Sequence, residues 1–174
     1  AFGGLTYTGQ GLRVMFDRRP NAWIEYNAHL FNTVFGTDTL VEIQVNPEFT
    51  LSEAQEEAEK YAFAIGQLPA FLMADVETVW IHKGVEGFGG SNNNLLIHTG
   101  QGELYIADGI LEETFIHEAT HTSFDATHKA AELWLSAQAA DGVAISQYAA
   151  DYPKSEDLSE TLLLYLAARF WPEH

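Results

Sequence analysis

A stretch without glycine or proline, residues 110–127, constrains the fold of this chain most. Its apolar residues, among them Phe115 and Ala119, mix i, i+4 and i, i+1 spacings, which is the pattern of a helix buried on most of its sides. The stretch therefore predicts an α-helix at the centre of the fold, with the other elements arranged around it.

Residues 117–121 within this helix read HEATH, an HExxH motif. Residues four apart lie one turn apart on the same face, so His117 and His121 can present both imidazoles to one metal ion. Glu118 is rotated by about 100° from His117, which places its carboxylate beside the metal, where it can act as a general base. The alternative is a pair of core histidines with an incidental glutamate.

A third metal ligand must lie outside the motif, because a catalytic zinc needs three protein ligands and an open position for water. The chain has no cysteine, which excludes a thiolate ligand. Asp125 follows His121 by one turn, and His128 is expected at the start of the next helix. The residues alone leave five candidates: Asp125, His128, Glu156, Asp157 and Glu160.

The order of polar residues after the motif resembles that of the anthrax lethal factor type of zinc protease and of related small secreted bacterial proteases. In that group the motif is followed by an acidic residue one turn on, then by S-x-Y, then by E-x-x-x-E on a later helix. Here Asp125, residues 146–148 (Ser-Gln-Tyr) and the pair Glu156 and Glu160 stand in those places. The resemblance covers residues 112–170.

The resemblance implies a gluzincin-like site in which zinc is bound by His117, His121 and Glu156. Glu156 opens a predicted helix, whose dipole would keep its carboxylate ionised, as a ligand must be. Glu160 and Asp125 would be outer carboxylates, and Glu160 could accept the N–H of a ligating imidazole.

Two catalytic roles follow from the same resemblance. Glu118 would be the general base that takes a proton from the zinc-activated water. Tyr148 would donate a hydrogen bond to the oxyanion, and the alternative for Tyr148 is a packing role.

Composition limits the possible partners. The chain has 174 residues, of which 47% are apolar, so we expect one domain spanning residues 1–174. Its net charge of −17 repels phosphate, which argues against nucleic acid and anionic membranes and favours cationic substrates or simple solubility. We expect no membrane span, because glycine and proline break the best apolar run, 61–74.

Pattern and turn residues predict an α+β, zincin-like fold, with a small twisted mixed sheet packed on the motif helix and further helices after it. Residues 1–11 are predicted to be a loose lead-in, 84–94 a loop and 143–153 a connector, and 23–35 is ambiguous. The predicted strands are 12–16, 40–45, 76–82, 95–98 and 103–107. The other predicted helices are 51–66, 127–141 and 156–170.

Two further features concern the sheet. His82 and His98 end predicted strands and are candidate ligands by residue type, but we expect neighbouring groups to satisfy them. One of the strands after residue 76 should form the sheet edge beside the cleft, where an extended peptide could pair with it.

The expected function is zinc-dependent hydrolysis of peptide bonds in a peptide or protein substrate. Two alternatives stay open: an inactive zinc-binding or toxin-like interaction module with the same fold, and a zinc hydrolase of a non-peptide amide. The chain starts at Ala1, which fits a protein trimmed behind a signal peptide and suggests a secreted or periplasmic location.

Overall fold

The computed structural model describes residues 2–36, 39–91 and 93–170, and its architecture is α+β. The described part contains a six-stranded sheet formed by β1 (Phe2–Asp17), β2 (Ala22–Phe35), β3 (Thr39–Val45), β4 (Thr78–His82), β5 (Gly89–Ser91) and β6 (Asn94–His98). It also contains α1 (Leu51–Ile65), a 3-10 helix (Ala70–Met73), α2 (Thr99–Asp108), α3 (Leu111–Phe124), α4 (Glu132–Asp141), α5 (Gln147–Asp151) and α6 (Asp157–Phe170).

The sheet is mixed, with the strand order β1-β2-β3-β4-β6-β5. The first three strands are antiparallel neighbours, β3, β4 and β6 run parallel, and β5 is antiparallel to β6. The two edge strands are therefore β1 and β5. Asn92 of the predicted loop 84–94 is outside the described residues, and β5 lies inside this loop. Its sequence, Gly-Gly-Ser, has no alternating apolar pattern, so periodicity could not reveal it.

The main core lies between one face of the sheet and helices α1 and α3. Ile43, Ile81 and Ile97 from three adjacent strands are fully buried there. Helix α1 begins with a capping box, since Thr50 accepts from the Glu53 N–H and Glu53 accepts from the Thr50 N–H. This core holds the motif helix against the sheet.

The first strand is longer than predicted. Glycines in residues 1–11 suggested a loop, but β1 starts at Phe2 and pairs with β2 along its length. Register shifts occur at Phe2/Leu5 and Tyr7/Gly9, and Gly4 and Gly9 adopt φ of 102° and 112°. These two glycines therefore allow the register to shift while the strand continues, because glycine adopts positive φ without steric cost.

One predicted strand and the start of one predicted helix need correction. Residues 103–107 belong to helix α2, in which Gly102 leaves room for the Tyr61 hydroxyl; a Cβ there would overlap with it. Helix α4 begins at Glu132 with no side-chain cap, so Thr127 does not start it. In α6, Leu166 is buried, whereas Tyr165 is 59% exposed.

Among the described residues, no helix is long and apolar enough to cross a membrane.

Candidate metal centre

The candidate metal centre lies where α3 meets the start of α6. The Nε2 atoms of His117 and His121 are 3.1 Å apart. Glu156, directly before α6, places Oε2 3.2 Å from Nε2 of His117 and 3.1 Å from Nε2 of His121. Within the described part of the chain, these three residues are the one group that could hold a metal ion.

Each imidazole is also held by a carboxylate at its other nitrogen. Nδ1 of His117 is 3.1 Å from Oε1 of Glu160, and Nδ1 of His121 is 3.2 Å from Oδ2 of Asp125. Since an ionised carboxylate can only accept, each Nδ1 carries the proton and donates it. When an imidazole is neutral and its proton is on Nδ1, its Nε2 atom has a free lone pair. Both Nε2 atoms can then bind a metal ion.

Three lone pairs therefore converge from His117, His121 and Glu156. Without a cation or an additional proton between them, such acceptors repel one another at this separation. A metal ion satisfies all three at once, which makes the cluster chemically suited to a cation.

Neighbouring charges strengthen the interaction between His121 and Asp125. Burial would raise the pKa of Asp125, but hydrogen bonds from His121 and Lys129 hold it below its usual value. Burial opposes charge on His121, but its hydrogen bond to Asp125 and the nearby carboxylates raise the pKa of His121. Lys129 donates from Nζ to Oδ2 of Asp125 over 2.8 Å, so Asp125 is itself anchored.

Ser159 also reaches the centre, and sequence reasoning missed it. It is fully buried in the first turn of α6. Its Oγ lies 3.4 Å from Nε2 of His117 and 3.3 Å from Nε2 of His121, and it donates to the Glu156 carbonyl oxygen over 2.9 Å. Its position three residues after Glu156, on the same helical face, was the available signal.

Glu118 lies next to the cluster and is not one of its members. Its side chain lines the same cavity as the cluster. Burial raises the pKa of Glu118, while His117, His121 and Arg18 act in the opposite direction. A buried carboxylate of this kind takes up a proton more readily than one in water.

Tyr148 borders the cavity from α5. Ser146 caps this short helix by accepting from the Ala149 N–H over 3.0 Å. The ring centroid of Tyr148 is 6.4 Å from that of His117 and 5.3 Å from that of Tyr152. Burial and the charge of Glu156 raise the pKa of Tyr148, so its hydroxyl remains a hydrogen-bond donor at neutral pH.

The cavity has a volume of about 480 Å³. The three candidate ligands, Glu118 and Tyr148 line it. The edge strand β5 and the aromatic residues Phe16, Trp23 and Trp80 also belong to its lining. A cavity of this size can accept a side chain of a peptide together with part of its backbone.

Of the five candidate ligands, Glu156 belongs to the cluster, Asp125 and Glu160 contact the imidazoles at Nδ1, and the other two lie elsewhere. His128 is exposed, its ring centroid is 4.8 Å from that of Phe124, and it lies in the turn after α3. Asp157 is buried and accepts a hydrogen bond from Nε2 of Gln138 over 2.8 Å.

His82 and His98 lie side by side on β4 and β6, with ring centroids 5.4 Å apart. As expected, neighbours engage one nitrogen of each: Asn46 donates to Nδ1 of His82, and Nδ1 of His98 donates to the Lys83 carbonyl oxygen. Their Nε2 atoms are buried and have no hydrogen-bond partner within the described residues. Burial lowers the pKa of His82 to about 4 and also lowers that of His98.

Comparison with known proteins gives no relative: no protein-family model, curated protein or solved structure matches this chain. Its function is therefore argued from the geometry of the site.

Proposed function

We propose that this chain is a zinc-dependent endopeptidase with a zincin-like fold. The observation that carries the proposal is the convergence of Nε2 of His117, Nε2 of His121 and Oε2 of Glu156, at separations of 3.1 to 3.2 Å, beside the half-buried Glu118. Two imidazoles and one carboxylate form a ligand set found in catalytic zinc sites of peptidases.

The spacing of the three atoms supports zinc as the metal. Zinc bonds to nitrogen and oxygen at roughly 2.0 to 2.1 Å in tetrahedral geometry, which places neighbouring ligand atoms about 3.3 to 3.4 Å apart. The observed triangle is slightly tighter than this. A fourth position would remain for water on the cavity side.

The side chains around the triangle supply the remaining chemistry. Zinc bound here would lower the pKa of a water molecule and polarise the scissile carbonyl group. Glu118 would accept the proton of the attacking water and pass it to the leaving amine nitrogen. Tyr148 would donate its O–H to the carbonyl oxygen as negative charge develops there.

The position of β5 favours a peptide substrate. It is the last strand in the sheet order, it lines the cavity, and it packs against the motif helix. An extended peptide can add to such an edge through main-chain hydrogen bonds, which would bring one of its carbonyl groups to the metal side of the cavity.

The proposal is tested with Glu118→Gln. Wild-type and variant proteins are loaded with zinc, their metal content is measured, and both are incubated with a diverse peptide library that is analysed by mass spectrometry. We expect internal cleavage by the wild type alone and equal zinc content in both, since Glu118 moves protons and does not bind the metal.

The other outcomes separate the competing functions. Zinc binding without cleavage of any peptide would favour the inactive interaction module or the hydrolase of a non-peptide amide. Loss of zinc in Glu118→Gln would make Glu118 a ligand, and full activity in this variant would exclude the mechanism.

A further inference from the structure

The turn between β1 and β2 borders the same cavity as the candidate metal ligands. Phe16 and Trp23 flank this turn, with ring centroids 5.5 Å apart, and Trp23 meets Trp80 of β4 edge to face at 5.5 Å. All three rings line the cavity that contains the cluster. The aromatic contacts hold both ends of the turn at the cavity, and Arg18 within the turn lines the cavity as well.

Arg18 rests on a surface made by glycine. A Cβ added to Gly89 would lie 2.8 Å from Nη2 of Arg18, and one added to Gly87 would lie 3.5 Å from Nη1. A side chain at residue 89 would therefore displace the guanidinium group. The glycine at this position of β5 lets Arg18 lie close to the edge strand.

Arg18 differs from the other arginines of the same hairpin in its partners. Arg13 binds Glu42 over 2.7 Å, and Arg19 binds Asp17 over 2.6 Å and Glu48 over 2.8 Å. Within the described residues, the Arg18 side chain makes no ion pair with a carboxylate. In a chain with 25 acidic and 8 basic residues, a guanidinium group left without a carboxylate is available for a ligand.

Arg18 differs in charge from the other charged side chains that line the cavity. Among the described residues that line it, Arg18 is the one lysine or arginine, and Glu118, Asp125 and Glu156 are the acidic residues. Asp125 and Glu156 are engaged with the motif histidines. A substrate carboxylate entering this cavity thus has one cationic side chain to meet.

We propose that Arg18 is a specificity-determining residue that binds a carboxylate of the substrate, which rests on the proposed peptidase function. The planar guanidinium can hold a carboxylate through two parallel N–H···O bonds, which a lysine or an amide cannot reproduce. The carboxylate is either an acidic side chain near the scissile bond or the C-terminus of a short peptide, and the two sources are distinguished by test.

The test uses matched peptides based on a sequence that the wild type cleaves. One pair differs by Glu against Gln at each position near the cleaved bond, and a second pair has a free or an amidated C-terminus. The proteins compared are the wild type, Arg18→Gln, Arg18→Lys and a control, Arg169→Gln. Arg169 lies in the last turn of α6, outside the cavity lining, and its loss changes the net charge equally.

We expect the wild type to prefer one carboxylate peptide over its neutral partner by about 10- to 100-fold in kcat/KM, mainly through KM. Arg18→Gln should cleave the two peptides equally well. Arg18→Lys should retain part of the preference, and Arg169→Gln should leave it unchanged. A preference in the Glu/Gln pair identifies a side chain, and one in the C-terminal pair identifies the terminus. Preserved discrimination in Arg18→Gln would overturn the inference, as would equal loss of activity on both members of a pair, which would show that Arg18 acts through Glu118.

Binding gives a readout that does not need turnover. In zinc-loaded Glu118→Gln protein, Trp23 and Trp80 border the cavity, so peptide binding can be followed by tryptophan fluorescence. The carboxylate peptide should bind about 10-fold or more tightly than its partner, and adding Arg18→Gln should remove the difference. Cleavage without carboxylate discrimination overturns this inference alone. Absence of both cleavage and carboxylate-dependent binding overturns the proposed function as well.

Discussion

Gly90 of β5 and Glu118 of α3 meet through their main chains: a methyl group added to Gly90 would overlap with the carbonyl group of Glu118. This contact joins the edge strand of the sheet directly to the motif helix. The contact sets the distance between β5 and the candidate metal ligands, because Glu118 lies between His117 and His121 in the sequence.

We therefore predict that Gly90→Ala separates β5 from α3. Overpacking of this kind costs roughly 1 to 3 kcal/mol, and we expect that decrease in the free energy of unfolding in urea, together with a loss of peptidase activity. Gly87→Ala is the control, since its Cβ would meet Nη1 of Arg18 at an ordinary 3.5 Å. Wild-type stability in Gly90→Ala would show that the strand and the helix are less closely packed.

The second prediction concerns metal stoichiometry. Purified protein incubated with zinc should bind one ion per chain, measured by elemental analysis after gel filtration. His117→Ala, His121→Ala and Glu156→Ala should each lose it almost completely, because each removes one of three converging donors. His128→Ala should retain the metal, and a reversed result for Glu156 and His128 would refute the ligand set.

The third prediction concerns the outer carboxylates. Glu160→Gln and Asp125→Asn should weaken zinc binding by roughly 10- to 100-fold without abolishing it, because each changes the group that orients one imidazole. Competition with a chelator of known affinity measures the change. Glu57→Gln is a control, since Glu57 pairs with Lys60 on α1. A complete loss of zinc in either variant would place that carboxylate among the direct ligands.

The fourth prediction concerns Tyr148. The phenol O–H matters once charge has developed on the carbonyl oxygen, so Tyr148→Phe should lower kcat by about 100-fold, or about 3 kcal/mol, with little change in KM. Zinc content and thermal stability should not change. Tyr152→Phe is the matched control on the neighbouring ring. Near wild-type turnover in Tyr148→Phe would leave this tyrosine a packing role only.

The fifth prediction concerns pH and the buried histidines. Burial lowers the pKa of His82 to about 4, whereas the unfolded chain has a value near 6.5. Its contribution to stability is therefore fully present above pH 6.5 and is lost as the pH falls towards 4, by roughly 3 kcal/mol over that window.

Urea unfolding of wild type and His82→Gln, carried out between pH 7.5 and 4.5 in the same metal state, measures this contribution. The wild type should lose stability more steeply with falling pH than the variant does, by up to about 1.4 kcal/mol per pH unit. Carboxylates titrate in the lower part of this range in both proteins and cancel in the difference. Parallel pH profiles would show that His82 is not held neutral by the fold.

Local interactions made several elements readable from the sequence. The helix that carries the motif, helix α1 and strand β3 were predicted close to their observed limits. Each depends on residues within one or two turns, or on alternation along one strand, so neighbours in the chain contain the information. The facing of His117 and His121 follows in the same way from helical spacing.

Only the tertiary structure decided which carboxylate reaches the Nε2 atoms of both histidines. Asp125, Glu156, Asp157 and Glu160 were all chemically able to do so, and 35 residues separate Glu156 from His121. The packing of α6 on α3 brings Oε2 of Glu156 into the triangle and turns Asp157 towards Gln138. No local pattern encodes that choice, because it depends on the path of the chain between the two helices.

Two glycines also show the difference between what the sequence indicates and what the tertiary structure decides. From the sequence, Gly90 lies in a predicted loop and Gly102 directly before a predicted strand. In the structure Gly90 admits the main chain of Glu118 and Gly102 admits the ring of Tyr61, in a strand and a helix respectively. A residue without a side chain is required wherever two segments approach closely, and which segments approach is settled by packing between distant parts of the chain.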